Sequence, residues 1–206
     1  MIKRHITFAV MQETLMSNSL TEIEQLIWVL LQEAVASYKA PFHNGVFANI
    51  QDGRPEQRTV ILRKTIAEEK KLFFHTDLRS PKLLWLQNDP NVSWLFYNEA
   101  LKLQLRINAV ARVHYNNETT GLAWEHTSPN SRLIYTINAA PGERTNTPAS
   151  AARASTPTPE ELETARQNFV VVETTVENID WVYLHHTGNR RGFIDYVNSE
   201  HYWMQP

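Results

Sequence analysis

The chain of 206 residues contains no cysteine. This absence excludes disulfides, thiolate zinc sites, iron–sulfur clusters and a cysteine nucleophile. No run of about 18 consecutive apolar residues occurs, so the sequence predicts no transmembrane helix. Glycine is scarce as well, with six residues, and none has the spacing of a dinucleotide-binding motif or a P-loop. Several large classes of enzyme are excluded in this way before any motif is considered.

Charge of neither sign dominates, since 20 Lys and Arg stand against 22 Asp and Glu, for a formal net charge of −2. That balance does not favour nucleic acid or an anionic membrane as the main partner. We expect residues 1–18 to be an N-terminal tail rather than a signal peptide, because Gln12 and Glu13 interrupt its apolar patch. Met16 is an alternative start. Residues 19–206 are expected to form one domain of a cytoplasmic protein.

The apolar periodicity predicts one long helix followed by many strands. Ser19 or Thr21 is suited to cap a helix that continues to about Tyr38. Strands are predicted at residues 45–50, 58–64, 71–76, 91–97, 101–115 and 169–185, followed by a closing hairpin. Residues 58–64 and 71–76 are expected to pair, and short helices are predicted near 80–88, 117–126 and 160–167. The pattern indicates a mainly β fold with flanking helices, an antiparallel barrel.

Residues 127–158 have the weakest pattern of the chain. Their end is rich in Pro, Ala, Thr and Ser, which is typical of irregular segments. We therefore expect a mobile loop at about residues 141–158.

Basic and hydroxyl residues concentrate around the strands at residues 58–82. They are Arg58, Arg63, Lys64, Thr76, Arg79, Ser80 and Lys82. A helix predicted to begin near Ser80 would add free backbone N–H groups to these cations and hydroxyls, a combination that suits a phosphate. The residues alone leave two interpretations open, a phosphate-binding cradle and a solvated basic rim.

The histidines and paired carboxylates do not indicate a catalytic or metal site. His185 and His186 are neighbours, so in a strand they face opposite sides and do not chelate one ion. Glu68 and Glu69 precede two lysines in a predicted turn, which is typical of a solvated loop. No metal site is predicted.

Several segments resemble, in order, the pyridoxamine 5′-phosphate oxidase-like family of FMN-binding split barrels. They are RTVILR at 58–63, F-x-T-D-x-x-S-P-K at 74–82, NDPNVSWLF at 88–96, LQLRINAVARV at 103–113, and an ending with D-W, N-R-R-G-F and W-x-x-P. The resemblance covers most of residues 43–206 and is greater to the related flavin-binding branch than to the oxidase itself. It implies a split antiparallel β-barrel that binds FMN as a homodimer, with the flavin at the subunit interface.

The resemblance also implies which residues hold FMN. From one subunit these are Arg58, Thr59, Val60, Ile61, His75, Thr76, Ser80, Pro81 and Lys82. Pro81 stands where the family usually has a basic residue, and Arg79 is the candidate replacement for that charge. From the other subunit the resemblance assigns Gln104, Arg106, Trp181 and Arg191.

The phosphate anchors for the oxidase substrate are largely missing. Arg63 takes the position of a lysine, and Ser131 is retained. Where the oxidase has Tyr and Arg after the long strand and Arg-x-His near the end, this chain has Ala123 or Trp124, Thr127, Thr187 and Asn189. Charge-assisted hydrogen bonds contribute roughly 1.5–3 kcal/mol each, so phosphate binding should weaken strongly. We expect FMN binding with poor turnover of pyridoxamine 5′-phosphate.

Three functions are compatible with this sequence. The first is an FMN-dependent oxidoreductase related to pyridoxamine 5′-phosphate oxidase that acts on a small-molecule substrate. The second is a non-catalytic flavin-binding or flavin-storage protein, which the missing substrate anchors favour. The third is a cofactor-free barrel that binds another phosphorylated ligand.

Overall fold

This computed structural model describes residues 6–146 and 157–206. Nine strands and six α-helices lie within them. The helices are α1 Phe8–Met16, α2 Leu20–Ala36, α3 Lys82–Asn88, α4 Glu118–His126, α5 Pro129–Arg132 and α6 Pro159–Gln167. The strands are β1 Asn44–Gln51, β2 Arg54–Ile61, β3 Lys64–Ile66, β4 Lys71–Asp77, β5 Asn91–Asn98, β6 Leu103–Tyr115, β7 Phe169–Tyr183, β8 Arg190–Asp195 and β9 Glu200–Met204.

The strands form one antiparallel sheet that forks at β7. Its order is β2-β1-β5-β6-β7-β4-β3, with β8 paired to β7 and β9 to β8. Strand β7 follows β6 along its length, while its first half pairs with β4 and its second half with β8. A β-bulge at Glu177 shifts the register with β6 and bends the strand between the two halves. The predicted fold class, a mainly β split barrel with flanking helices, is confirmed.

The two ends of this order, β2 and β3, are consecutive in the chain and are joined by Leu62 and Arg63. The Leu62 N–H donates to the His43 carbonyl at 2.9 Å, and the Arg63 N–H donates to the Phe73 carbonyl at 2.8 Å. Within the described residues no ladder joins β2 to β3 or β4, so the sheet curls without closing. We call this junction the seam.

The seam corrects the predicted pairing of residues 58–64 with 71–76. Strand β2 pairs with β1, and β4 pairs instead with the short β3. Leu62 is fully buried and turns the chain inward between the two strands, so the apolar run is not one strand. The chain reverses tightly after β1, where Asp52 and Gly53 both have positive φ.

Aromatic side chains fill the space inside the curled sheet. The ring centroids of Phe47, Phe74 and Trp94 lie 4.7–5.6 Å apart. Strand β6, predicted as a strand over residues 101–115, turns Leu103, Leu105, Ile107 and Ala109 into this core. A second cluster attaches α4, α6 and the intervening 3-10 helix to β4 and β7 through Phe73, Trp124, Tyr135, Ala165, Phe169 and Val171.

Helix α2 packs against the sheet, with Ser19 as its cap as predicted. The Glu24 carboxylate accepts from the Lys70 ammonium at 2.8 Å, and the Trp28 indole N–H donates to Tyr196 at the same distance. The preceding segment differs from the expected tail, because Thr7 caps α1 and Leu15 of that helix is fully buried.

Residues 127–136 are regular, contrary to the prediction that 127–158 lack structure. Ser128 caps α5, and a 3-10 helix over Leu133–Thr136 follows, because Tyr135 packs into the second cluster. Most of the predicted loop, residues 147–156, lies outside the described residues. Among the helices described, none is both long and apolar enough to cross a membrane.

Packing around Gly45 yields a first test. A Cβ at Gly45 would lie 2.5 Å from the Phe96 ring and 2.8 Å from the Trp94 ring. Gly45→Ala should therefore lower the free energy of unfolding by about 1–3 kcal/mol, the usual cost of overpacking. In α4, a Cβ at Gly121 meets no atom closer than 3.7 Å, so Gly121→Ala should raise it by about 0.5–1 kcal/mol. Denaturant titration measures the free energy of unfolding of both variants. A change of the same sign in both would contradict the core packing described here.

Candidate functional site

A cavity of about 570 Å³ opens between β2, β4 and the loop that follows the 3-10 helix Leu133–Thr136. We call it the larger cavity. It brings together most of the residues that the resemblance assigned to FMN, namely Arg58, Thr59, Val60, Ile61, His75, Thr76 and Lys82. Ser80 joins them through a hydrogen bond to Lys82, whereas Pro81 is exposed at the start of α3.

Lys82 is the centre of a cluster of donors in this cavity. Its ammonium donates to the Thr76 hydroxyl at 2.7 Å and to the Ser80 hydroxyl at 2.6 Å. Burial, aided by the nearby charge of Arg58, lowers the pKa of Lys82 to about 8. An ammonium has three N–H donors, so one is left for a ligand.

Arg58 contributes a second cation from the neighbouring strand. Its guanidinium donates to the Asn49 side-chain oxygen and, at 3.0 Å, to the Glu56 carbonyl. Burial lowers the pKa of Arg58 as well. Within the described residues neither Arg58 nor Lys82 forms an ion pair with a carboxylate. Two partly desolvated cations and two hydroxyls fit a phosphate group, which would stabilise their charged forms.

Arg79 does not replace the charge missing at Pro81. Its guanidinium donates to the Asp77 carboxylate at 2.7 and 2.9 Å, so its charge is balanced. Its remaining nitrogen donates to the carbonyls of Ile137 and Asn138 at 2.8 and 3.1 Å. Arg79 therefore fixes the loop that forms one wall of the larger cavity.

Backbone amides contribute less to the cradle than expected. Pro81 has no N–H, and helix α3 begins one residue later. The Ser80 N–H donates to the Asp77 carbonyl at 3.0 Å, and the Leu83 N–H donates to the Ser80 carbonyl at 3.1 Å. The donors suited to an anion are thus mainly side chains.

A smaller cavity of about 530 Å³ adjoins the larger one. Arg63 and His75 line both cavities and form their common wall. Ser131, the other residue assigned to substrate, lines the smaller cavity. Burial, aided by the charge of Arg63, lowers the pKa of His75 to about 4, so its imidazole is neutral at pH 7. Its ring packs edge-on against Phe169, with centroids 4.7 Å apart.

The residues assigned to the other subunit lie on β6, β7 and β8, away from both cavities of their own chain. Arg106 and Arg191 both pair with Asp180. Trp181 is fully enclosed in the core, where its indole packs against Gly192 and Trp203. A side chain with no exposed surface offers none to a ligand, so the structure places Trp181 in the core rather than at a flavin.

Sequence reasoning missed the outer wall of the larger cavity. This wall contains Asp77, Ile134, Tyr135, Ile137, Ala139, Ala140, Pro141, Gly142 and Glu143. Burial raises the pKa of Tyr135, whose ring packs against Trp124 and Phe169. The pair Ile134-Tyr135 was an available signal, because a large apolar pair within a polar stretch is typical of a packed segment.

Residues 25–115 match the family model described as pyridoxamine 5′-phosphate oxidase, FMN-binding domain. This match confirms the resemblance noted in the sequence, and the cofactor that the matched domain implies is FMN. The cradle of Arg58, Thr76, Ser80 and Lys82 lies within it and fits the phosphate of that cofactor.

Solved structures with the same fold accompany this match. A pyridoxamine 5′-phosphate oxidase-related, FMN binding protein from Nostoc punctiforme is 19% identical, with a TM-score of 0.72 over 93% of this chain and 100% of that one. PhzG from Burkholderia lata, solved with tetrahydrophenazine-1-carboxylic acid, is 17% identical, with a TM-score of 0.66 over 88% and 91%. ChuZ from Campylobacter jejuni is 12% identical, with a TM-score of 0.56 over 92% and 65%.

Loss of the Lys82 charge should weaken FMN binding selectively. Lys82→Met removes one charge-assisted hydrogen bond, which corresponds to roughly tenfold to hundredfold weaker binding. Titration followed by flavin fluorescence measures the affinity. Riboflavin, which lacks the phosphate, should bind Lys82→Met and the unchanged protein alike, and the exposed Lys39→Met serves as the control variant. Equal losses for FMN and riboflavin would contradict a phosphate role for Lys82.

The affinity for FMN should also depend on pH. Phosphate binding favours the protonated form of Lys82, whose pKa in the free protein is about 8. FMN affinity should therefore be highest between about pH 6, the second pKa of a phosphate monoester, and pH 8, and should fall as the pH rises above 8 by at most about tenfold per pH unit. Lys82→Met should flatten this profile. A profile that is already flat in the unchanged protein between pH 7 and 9.5 would refute the assignment.

Proposed function

We propose that this protein is an FMN-dependent oxidoreductase that acts on a small molecule in the smaller cavity. The observation that carries the proposal is the wall common to both cavities, formed by Arg63 and His75. A molecule in the smaller cavity would lie directly beside a flavin in the larger one. Adjacent sites for cofactor and substrate are what a transfer between them requires.

Each residue of the larger cavity has a role in this proposal. Lys82, Arg58 and the hydroxyls of Thr76 and Ser80 bind the phosphate, while Thr59–Ile61 border the ring. FMN, when bound, supplies hydride or electron transfer, and the protein supplies position and electrostatics. The neutral His75 separates the two sites without adding a charge.

A second copy of the chain would complete the site. Gln104, Arg106 and Arg191 lie outside both cavities of their own chain, and one carboxylate, Asp180, is shared by the two arginines. Arg106, Arg191 and Asp180 together carry a net positive charge, which suits a position near a flavin that becomes negative on reduction. Light scattering at saturating FMN tests the dimer, and a monomeric mass would contradict this part of the proposal.

A non-catalytic flavin-binding protein is the second candidate. It is favoured by Thr127, which stands where the oxidase has an arginine and whose hydroxyl donates to the Ala123 carbonyl at 2.8 Å. Such a protein would keep the cradle and need no substrate.

Flavin spectroscopy distinguishes these functions. The FMN-loaded protein is mixed anaerobically with a panel of small molecules, and loss of the oxidised flavin absorbance identifies an electron donor. An oxidoreductase should be bleached by a subset of the panel and reoxidised rapidly in a stopped-flow instrument. Slow reoxidation without any selectivity among compounds favours the binding protein. A protein that takes up no added FMN refutes both.

A further inference from the structure

The smaller cavity contains a cation that has no partner among the described residues. Arg63 is partly buried in the wall between the two cavities. Its backbone N–H donates to Phe73, but across residues 6–146 and 157–206 its guanidinium has no hydrogen bond or ion pair. A partly desolvated guanidinium without an acceptor favours the binding of an anionic group.

Other polar groups of this cavity are already engaged within the protein. The Thr127 hydroxyl donates to the Ala123 carbonyl at 2.8 Å. The His43 ring lies 2.7 Å from the Ala34 carbonyl, so its Nδ1 carries the hydrogen and donates it. Neither group is free to strengthen the binding of a highly charged anion.

One hydroxyl of the same cavity keeps its hydrogen available. The Ser131 oxygen accepts from the Ser128 hydroxyl at 2.9 Å, which leaves the Ser131 O–H as a donor. Ser131 and Arg63 both line the smaller cavity. Together they offer one guanidinium and one hydroxyl.

The charge that this cavity leaves unbalanced is a single positive one. Lys64 and Glu118 both line the cavity, both are exposed and their charges are opposite, so they offset each other. The unbalanced charge is that of Arg63. A phosphate monoester carries a charge of about −1.5 to −2, whereas a carboxylate carries one charge and matches the two parallel donors of a single guanidinium.

The remaining wall is apolar and large enough for a ring system. It is formed by Val35, Leu62, Phe73, Leu122, Ala123 and Val171. The volume of about 530 Å³ falls within the range of roughly 300–1,000 Å³ for small-molecule sites. Burial of this apolar surface favours the binding of a ligand with a hydrophobic body.

We propose that the smaller cavity binds an apolar ring compound with a single carboxylate, which pairs with Arg63 and accepts from Ser131. This inference rests on the proposed function, because it places the ring beside FMN. It names the substrate class as monocarboxylates and separates it from phosphorylated compounds.

Three naphthalene probes test the proposal on the FMN-loaded protein. They are 2-naphthoate, the neutral 2-naphthamide and 2-naphthyl phosphate, and calorimetry together with flavin absorbance measures their binding. Naphthoate should bind at least about tenfold more tightly than either of the others, since one charge-assisted hydrogen bond is at stake. It should also perturb the flavin spectrum. Tighter binding of the phosphate or equal binding of the amide overturns the proposal.

Arg63→Met provides the matched variant. It should reduce naphthoate affinity to that of naphthamide and leave naphthamide affinity unchanged. Arg54→Met, at an exposed position at the start of β2 and outside both cavities, should change neither affinity. Unchanged naphthoate affinity in Arg63→Met overturns the assignment. If Arg63→Met does not fold or retain FMN, the three-probe comparison on the unchanged protein decides.

FMN binding is measured separately on the same samples. Protein that binds FMN but not naphthoate refutes this inference and leaves the proposed function standing. Protein that does not bind FMN refutes the proposed function itself.

Discussion

The site depends on a sheet whose two ends meet without pairing. At the seam, two backbone hydrogen bonds from Leu62 and Arg63 connect strands that share no ladder. The outer edge of β2 is therefore open toward the larger cavity, with backbone groups that no strand occupies. Because Leu62 is buried, Arg63 is forced into the wall between the two cavities. The positions of the larger cavity, of the smaller cavity and of their common wall all follow from this one junction.

The same region carries positive charges that are not paired with carboxylates among the described residues. Arg58, Arg63 and Lys82 border the seam, and within the described chain none of the three has a carboxylate partner of its own. Partly buried cations that face each other cost free energy, as the lowered pKa of Lys82 reflects. Anions that bind there offset this cost, so ligand binding and the stability of the folded chain are coupled.

Much of the fold and half of the site could be predicted from sequence, because the signals were local. The strand β6 and the helix cap, which the sequence left open between Ser19 and Thr21, depend on neighbouring residues, and the structure shows the strand and a cap at Ser19. The pairing of β2 depends on a turn at buried Leu62, which resembles any apolar strand residue. The wall around Tyr135 depends on contacts with Phe169, more than thirty residues away. The family pattern assigned Trp181 to the flavin by its place in the order of motifs, and only packing reveals that its indole is enclosed.

Arg79, which pairs with Asp77, also connects the site to a segment that is synthesised later. Arg79 holds the carbonyl of Ile137, 58 residues further along the chain. Domains emerge from the ribosome N-terminus first, so the cradle residues are synthesised well before the wall that faces them. β4, which carries His75 and Thr76, must also wait for β7. A nascent chain therefore carries the charges of the site before the wall that encloses them has been synthesised.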